Sequence, residues 1–189
     1  MRRFIRLILC LALVVVIAGA KGQKRDKSAK PKREAAETTI SEMKLPEKVR
    51  KTFVDKFPNA AINKLDEEKE GGVTVYDIEF RDGKSHKETD IAEDGTMLEY
   101  TVHITNKTVP KQALRKMEAV AKEQNAKMGT LERIEVSYET KDGKVVKLDK
   151  PQTRYAMELK KGGQTSEIEV DERGRIIESP KSDARNEKK

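Results

Sequence analysis

The chain has 189 residues, 39% of them charged and 4% aromatic, with a formal net charge of +7. That length accommodates one domain or two small ones. The positive excess sits at the two ends, around an acidic body. This argues against a nucleic-acid-binding domain, whose basic patch belongs on the folded part.

The chain opens with "MRRFIR", then the apolar "LILCLALVVVI", then the small residues of "AGA". A basic start, a short apolar run and an A-x-A site form the three-part layout of a secretory signal, with cleavage after Ala20. The run is shorter than the ~20 apolar residues of a membrane span. Cys10, the only cysteine, lies inside it. The remaining chain is thus expected to have no disulfide and no thiolate chemistry. Residues 21–36 follow as a basic segment with no apolar side chain larger than alanine. Such a composition cannot offset the entropy of ordering, and predicts a disordered linker.

Two related units are expected next, over 37–105 and 106–179, with a short polar tail at 180–189. Within "TTISEMKLPEKV" (38–49) and "HITNKTVPKQAL" (103–114), Ile40, Leu45 and Pro46 align with Ile104, Val109 and Pro110 at an offset of 64. "VYDIEFRDGKSHKETDIAEDGTMLE" (75–99) aligns without gaps with "RYAMELKKGGQTSEIEVDERGRIIE" (154–178) at an offset of 79. The second unit has therefore gained fifteen residues between its helix and its tyrosine strand.

Each unit begins with an apolar residue and a proline, which suits the start of a helix because the missing N–H costs nothing there. Leu45, Val49, Phe53 and Phe57 form one helical stripe, ended by Pro58. Val109, Ala113, Met117 and Ala121 form the corresponding stripe, which no proline interrupts. In "VTVYDIEF", alternation puts Tyr76, Ile78 and Phe80 on one face and Asp77 and Glu79 on the other. "YAMEL" places Tyr155, Met157 and Leu159 inward in the same way. "RDGK", "EDG", "KDGK" and "ERG" supply hairpin turns. "TDIA", "EIEV", "MLEYTVHI" and "RIIE" supply further strands. The expected fold class is α+β: two tandem repeats, each a helix packed on one face of a small antiparallel β-sheet.

A Leu-Pro before an amphipathic helix, the "FPN" helix end, the "VYDIEF" strand and "ETDIAEDGTMLE" resemble the PepSY-like family. That family is related in fold to protease propeptide domains and to β-lactamase inhibitory proteins. The resemblance extends over 45–101 and more loosely over 109–178. It implies a secreted or periplasmic bacterial domain that binds protein, with inhibition or regulation of a peptidase or other envelope enzyme as its finer form. A structural or chaperone-like envelope protein is the alternative.

No catalytic, cofactor-binding or metal-ligating residue is expected. The chain lacks H-E-x-x-H, G-x-S-x-G and a phosphate-cradling glycine loop. Its two histidines, His86 and His103, have no ligand spacing. The one surface that alternation singles out is the sheet face turned away from the helices. Asp77, Glu79, Glu88 and Asp90 gather there in the first unit, and Glu158, Glu167 and Glu169 in the second. A face of carboxylates suits a basic segment of a protein partner, and equally a solvated surface that resists aggregation. The partner expected is a protein, with no nucleic acid and no stable membrane insertion once the signal is removed.

Overall fold

The computed structural model describes residues 45–180. The expected signal and linker, residues 37–44 of the expected first unit and the tail from residue 181 onward lie outside the described residues. The elements run α1 (Glu47–Lys56), β1 (Ala61–Glu70), β2 (Val73–Asp82), β3 (Ser85–Ala92), β4 (Met97–Ile104), α2 (Lys111–Glu123), β5 (Lys127–Lys141), β6 (Lys144–Lys161), β7 (Gln164–Asp171) and β8 (Ile176–Glu178).

The expected pair of separate helix-on-sheet repeats is overturned. All eight strands form one antiparallel sheet in the order β1-β2-β3-β4-β5-β6-β7-β8. The joint is the β4–β5 pair, in register from Glu99↔Val136 to Ile104↔Leu131. Two separate sheets would each leave a row of unpaired N–H and C=O groups at this seam. Pairing β4 with β5 satisfies both rows.

Both helices lie on the same face of this sheet. Pro46 and Pro110 stand at the helix N-caps, where their carbonyls accept from Arg50 N–H (2.9 Å) and Leu114 N–H (3.0 Å). From α1, Val49 and Phe53 pack with Ile62, Tyr76, Ile78, Phe80 and Ile91. Phe53 meets Phe80 edge-on, with ring centroids 5.0 Å apart, and Phe57 closes over Phe80 at 4.5 Å. From α2, Ala113, Met117, Val120 and Ala121 pack with Tyr155, Met157, Leu159, Ile168 and Val170. Each large side chain buried here contributes roughly 1.5–3 kcal/mol.

The outer face carries a feature of its own. β5 and β6 continue past the sheet as a hairpin arm, in which Tyr138 pairs with Lys147 and Lys141 with Lys144. The register shifts between Val136 and Tyr138. On β6 the extra residues, Leu148 to Pro151, form a bulge, and Pro151 has no N–H to offer the ladder. Bent at this bulge, the arm lies back across the outer face. Tyr138 and Val145 pack on Val73, Val75, Ala92 and Leu98, and Leu148 packs on Ile134, Val136 and Ala156. Most of the fifteen-residue insertion is in this arm, and α2 is also longer than α1, with 13 residues against 10.

Candidate functional site: the acidic outer face

The outer face is built by alternation on each strand and by register between strands. Asp77 is opposite Asp90, and Glu79 opposite Glu88. Asp90 is opposite Glu99, and Glu88 opposite Thr101. Further along, Glu169 faces Ala156, and Glu167 faces Glu158. Because the sheet is continuous, all seven expected residues lie on one surface, on the side away from both helices. Glu99 joins them. Its alignment with Glu178 was visible in the sequence, but its place in the row depends on the β3–β4 register.

The seven are not equally accessible. Asp77, Asp90 and Glu169 are only 8%, 7% and 7% exposed, whereas Glu79, Glu88, Glu158 and Glu167 are half-buried. Two groups result. In the first, carboxylate oxygens of Asp77, Glu88 and Asp90 all lie within 4.8 Å of one another. Carboxylates this close repel one another, and a cation seated among them lowers that repulsion. An all-oxygen set of this kind suits a hard divalent cation, or the donors of an inserted Arg or Lys.

At the edge of this group, Lys64 Nζ lies 3.1 Å from Glu79 Oε1 and also pairs with Asp66. Burial alone would lower the Lys64 pKa, but the two carboxylates outweigh it and hold the pKa above the ordinary lysine value. In the second group, Arg154 Nη1 is 3.4 Å from Glu169 Oε2, with both side chains largely buried. Lys160 Nζ reaches Glu158 Oε2 at 2.8 Å. The amide of Thr130 donates to the same oxygen at 3.3 Å. Gly129 leaves the room Glu158 needs, since a Cβ there would stand 3.0 Å from Glu158 Cβ.

Tyr76 and Tyr155, the aligned tyrosines, face the helices and are buried. The α1 surface around Val54 is concave as well, but its lining of Glu47, Arg50, Lys51 and Asp55 is exposed and of mixed charge. Among the described residues, no helix is long and apolar enough to cross a membrane.

A family model described as "Putative beta-lactamase-inhibitor-like, PepSY-like" matches residues 31–98, 74–141 and 129–178. No curated protein matches the chain. Among solved structures, the chain is similar to a putative periplasmic protein from Bacteroides eggerthii, at 13% identity and a TM-score of 0.53. That match covers 75% of this chain and 93% of the other. A BLIP-like protein from Bacteroides fragilis aligns at 14% identity and a TM-score of 0.47, over 78% of this chain and 92% of its own.

Proposed function

From the premise that this chain belongs to the PepSY-like family, we propose that it is an exported, non-catalytic module whose outer sheet face receives a basic segment of a protein partner. The observation that carries the proposal is the β4–β5 pairing. It brings the carboxylates of both halves onto one surface, while the helices occupy the other. The half-buried Glu79, Glu88, Glu158 and Glu167 are the groups a partner reaches first. Asp77, Asp90 and Glu169 support the charge from beneath. Guanidinium and ammonium groups complement such a surface through charge-assisted hydrogen bonds.

Export is supported by the basic-apolar-small layout of residues 1–20 and by the likeness to the putative periplasmic protein of Bacteroides eggerthii. In this scheme residues 21–36 are a spacer and residues 180–189 a tail. The finer form of the function is inhibition or regulation of a peptidase or other envelope enzyme. The inhibitor-like character of the family supports it.

The test compares chemical cross-linking in an envelope fraction by the wild type and by a Glu79→Lys, Glu88→Lys, Glu158→Lys, Glu167→Lys variant, with circular dichroism to verify the fold. A partner captured by the wild type and lost by the variant is expected. Identical partners for both would remove the acidic face from the function. The captured protein, if an enzyme, is then assayed with and without stoichiometric wild type.

A structural or chaperone-like envelope role is the second reading. It is favoured by the arm, which covers part of the outer face and sits over Val73, Val75, Ala92 and Leu98. Recovery of no stoichiometric partner would favour that role.

A further inference from the structure

The chain contains two histidines, and the sheet brings them together. Lys87 pairs with Val102 across β3 and β4, so the next rung sets His86 opposite His103. Their rings are stacked, with centroids 5.5 Å apart and planes 15° from parallel. Both side chains lie on the outer face and are exposed. On the β5 side, His103 is in register with Glu132, and its Nε2 stands 3.2 Å from Glu132 Oε1. Beside the pair is a cavity of about 50 Å³ lined by His86, His103, Glu79, Glu88, Asn63 and Lys87, whose ammonium is drawn away to Asp82 at 2.6 Å. A space of this size accommodates a single small ion.

We propose that His86 and His103 bind a divalent first-row transition ion, with the Glu88 carboxylate as third protein ligand and Glu132 as the group that holds His103. Imidazole suits zinc, copper and nickel, in contrast to the oxygen-only group at Asp77, Glu88 and Asp90. Two imidazoles on one tetrahedral zinc, with Zn–N of about 2.0 Å, place their ring centroids roughly 5 Å apart. The observed separation is thus already close to the chelating one; because stacked rings aim their nitrogens in parallel, His86 turns about its side-chain torsion to converge on the ion while Glu132 holds His103. Glu88 follows His86 by two residues on the same strand, which puts it on the same face. Donation of the His103 Nε2–H to Glu132 leaves Nδ1 as the ligand atom, the carboxylate–histidine–metal arrangement that orients a ring and raises its basicity. Arg81, across β2 from His86, is exposed, and its long stem lets the charge lie in solvent.

The test is a calorimetric titration of the untagged chain with zinc chloride near neutral pH, where the imidazoles lose their protons to the metal. One ion per chain is expected, with affinity reduced at least about tenfold in His86→Gln and in His103→Gln. Glu132→Gln is expected to weaken binding by roughly tenfold, the usual effect of removing a partner that orients a ligand. The ring C–H resonances of both histidines should shift with one equivalent of zinc, and excess calcium should leave them in place. Both histidines are exposed, so the variants are expected to fold, as circular dichroism would verify. Unchanged binding in the His86→Gln, His103→Gln double variant would overturn the site, as would no binding at micromolar zinc. Neither result bears on protein capture by the acidic face.

Discussion

The amide of Gly143 donates to the carbonyl of Gly71 at 2.7 Å. This one bond ties the tip of the β5–β6 arm to the tip of the β1–β2 hairpin. Both residues have left-handed backbones, φ +57° at Gly71 and +72° at Gly143. Their surroundings differ. A Cβ on Gly71 would lie 2.8 Å from the Thr140 carbonyl oxygen, whereas one on Gly143 would meet nothing within 4 Å. Gly143→Ala therefore carries only the conformational cost, about 1–2 kcal/mol. Gly71→Ala carries the same cost plus a clash with arm backbone that cannot rotate away. Urea unfolding should rank Gly71→Ala as the more destabilising. Equal losses would mean that the arm tip moves freely off Gly71.

A single sheet makes a different demand. Phe53 and Met117 are fully buried in separate cores, one under each helix. Two independent repeats would unfold in two transitions, and each truncation would shift only its own. Strands joined through β4 and β5 should unfold together. Phe53→Ala is expected to cost about 3–5 kcal/mol and Met117→Ala about 2–5 kcal/mol. Each should move one shared transition, followed by both circular dichroism and tyrosine fluorescence. Two transitions, each moved by only one of the truncations, would show that the halves are energetically independent.

Much of this architecture can be read from local pattern, and the exceptions have physical causes. The stripe Val49–Phe53 and the alternation Tyr76–Ile78–Phe80 are legible because burial imposes periods of 3.6 and 2 on the residues themselves. β1 escapes such reading. It is an edge strand, "AINKLDEEKE", with Ile62 alone fully buried, so its charges follow no core-facing period. β5 escapes for a related reason. Its outward Ile134 and Val136 are covered by Leu148 of the arm, so apolar residues occur on both of its faces. The β4–β5 seam rests on backbone hydrogen bonds, and any two exposed edges offer those alike. The acidic residues were assignable to one face by alternation. Their burial was not, because alternation assigns a face but not what packs beside it, and Asp77, Asp90 and Glu169 are buried only once neighbouring strands are in register. The two histidines stand seventeen positions apart in the chain, and only the β3–β4 register makes them neighbours.

Acid should reveal the turn that closes the sheet's far edge. Asp171 accepts hydrogen bonds from the amides of Arg173 (2.9 Å) and Arg175 (2.8 Å), and from the Arg175 guanidinium. Burial pushes its carboxyl pKa up. The Arg175 amide and side chain and the Arg173 amide outweigh this, and the net shift is below the ordinary 3.8. A depressed pKa means that the ionised form is favoured by folding. The stabilisation is fully present above the unfolded value and disappears as pH falls through the lower folded value. Asp171→Asn should thus be less stable than wild type at pH 6, with the gap narrowing below about pH 4. A gap that stays constant from pH 6 to pH 2 would show that the carboxylate charge adds nothing to the turn.

The last expectation connects packing to the proposed face. Glu158 lies over Gly129 because β5 has no side chain at that point. A valine there needs the space now held by the Glu158 side chain, and its Cβ alone would stand 3.0 Å from Glu158 Cβ. The hydrogen bond from the Thr130 amide to Glu158 Oε2 would be lost with the displacement. Gly129 has an ordinary negative-φ backbone conformation available to any residue, and valine is favourable in strands, so the fold itself should tolerate the change to within about 1–2 kcal/mol. Gly129→Val is therefore expected to remain folded, with its midpoint lowered by no more than that cost, while weakening capture of a basic partner as strongly as Glu158→Gln does. If Glu158→Gln weakens capture and Gly129→Val does not, the position of Glu158 over β5 is irrelevant to binding, and its charge alone carries the contribution.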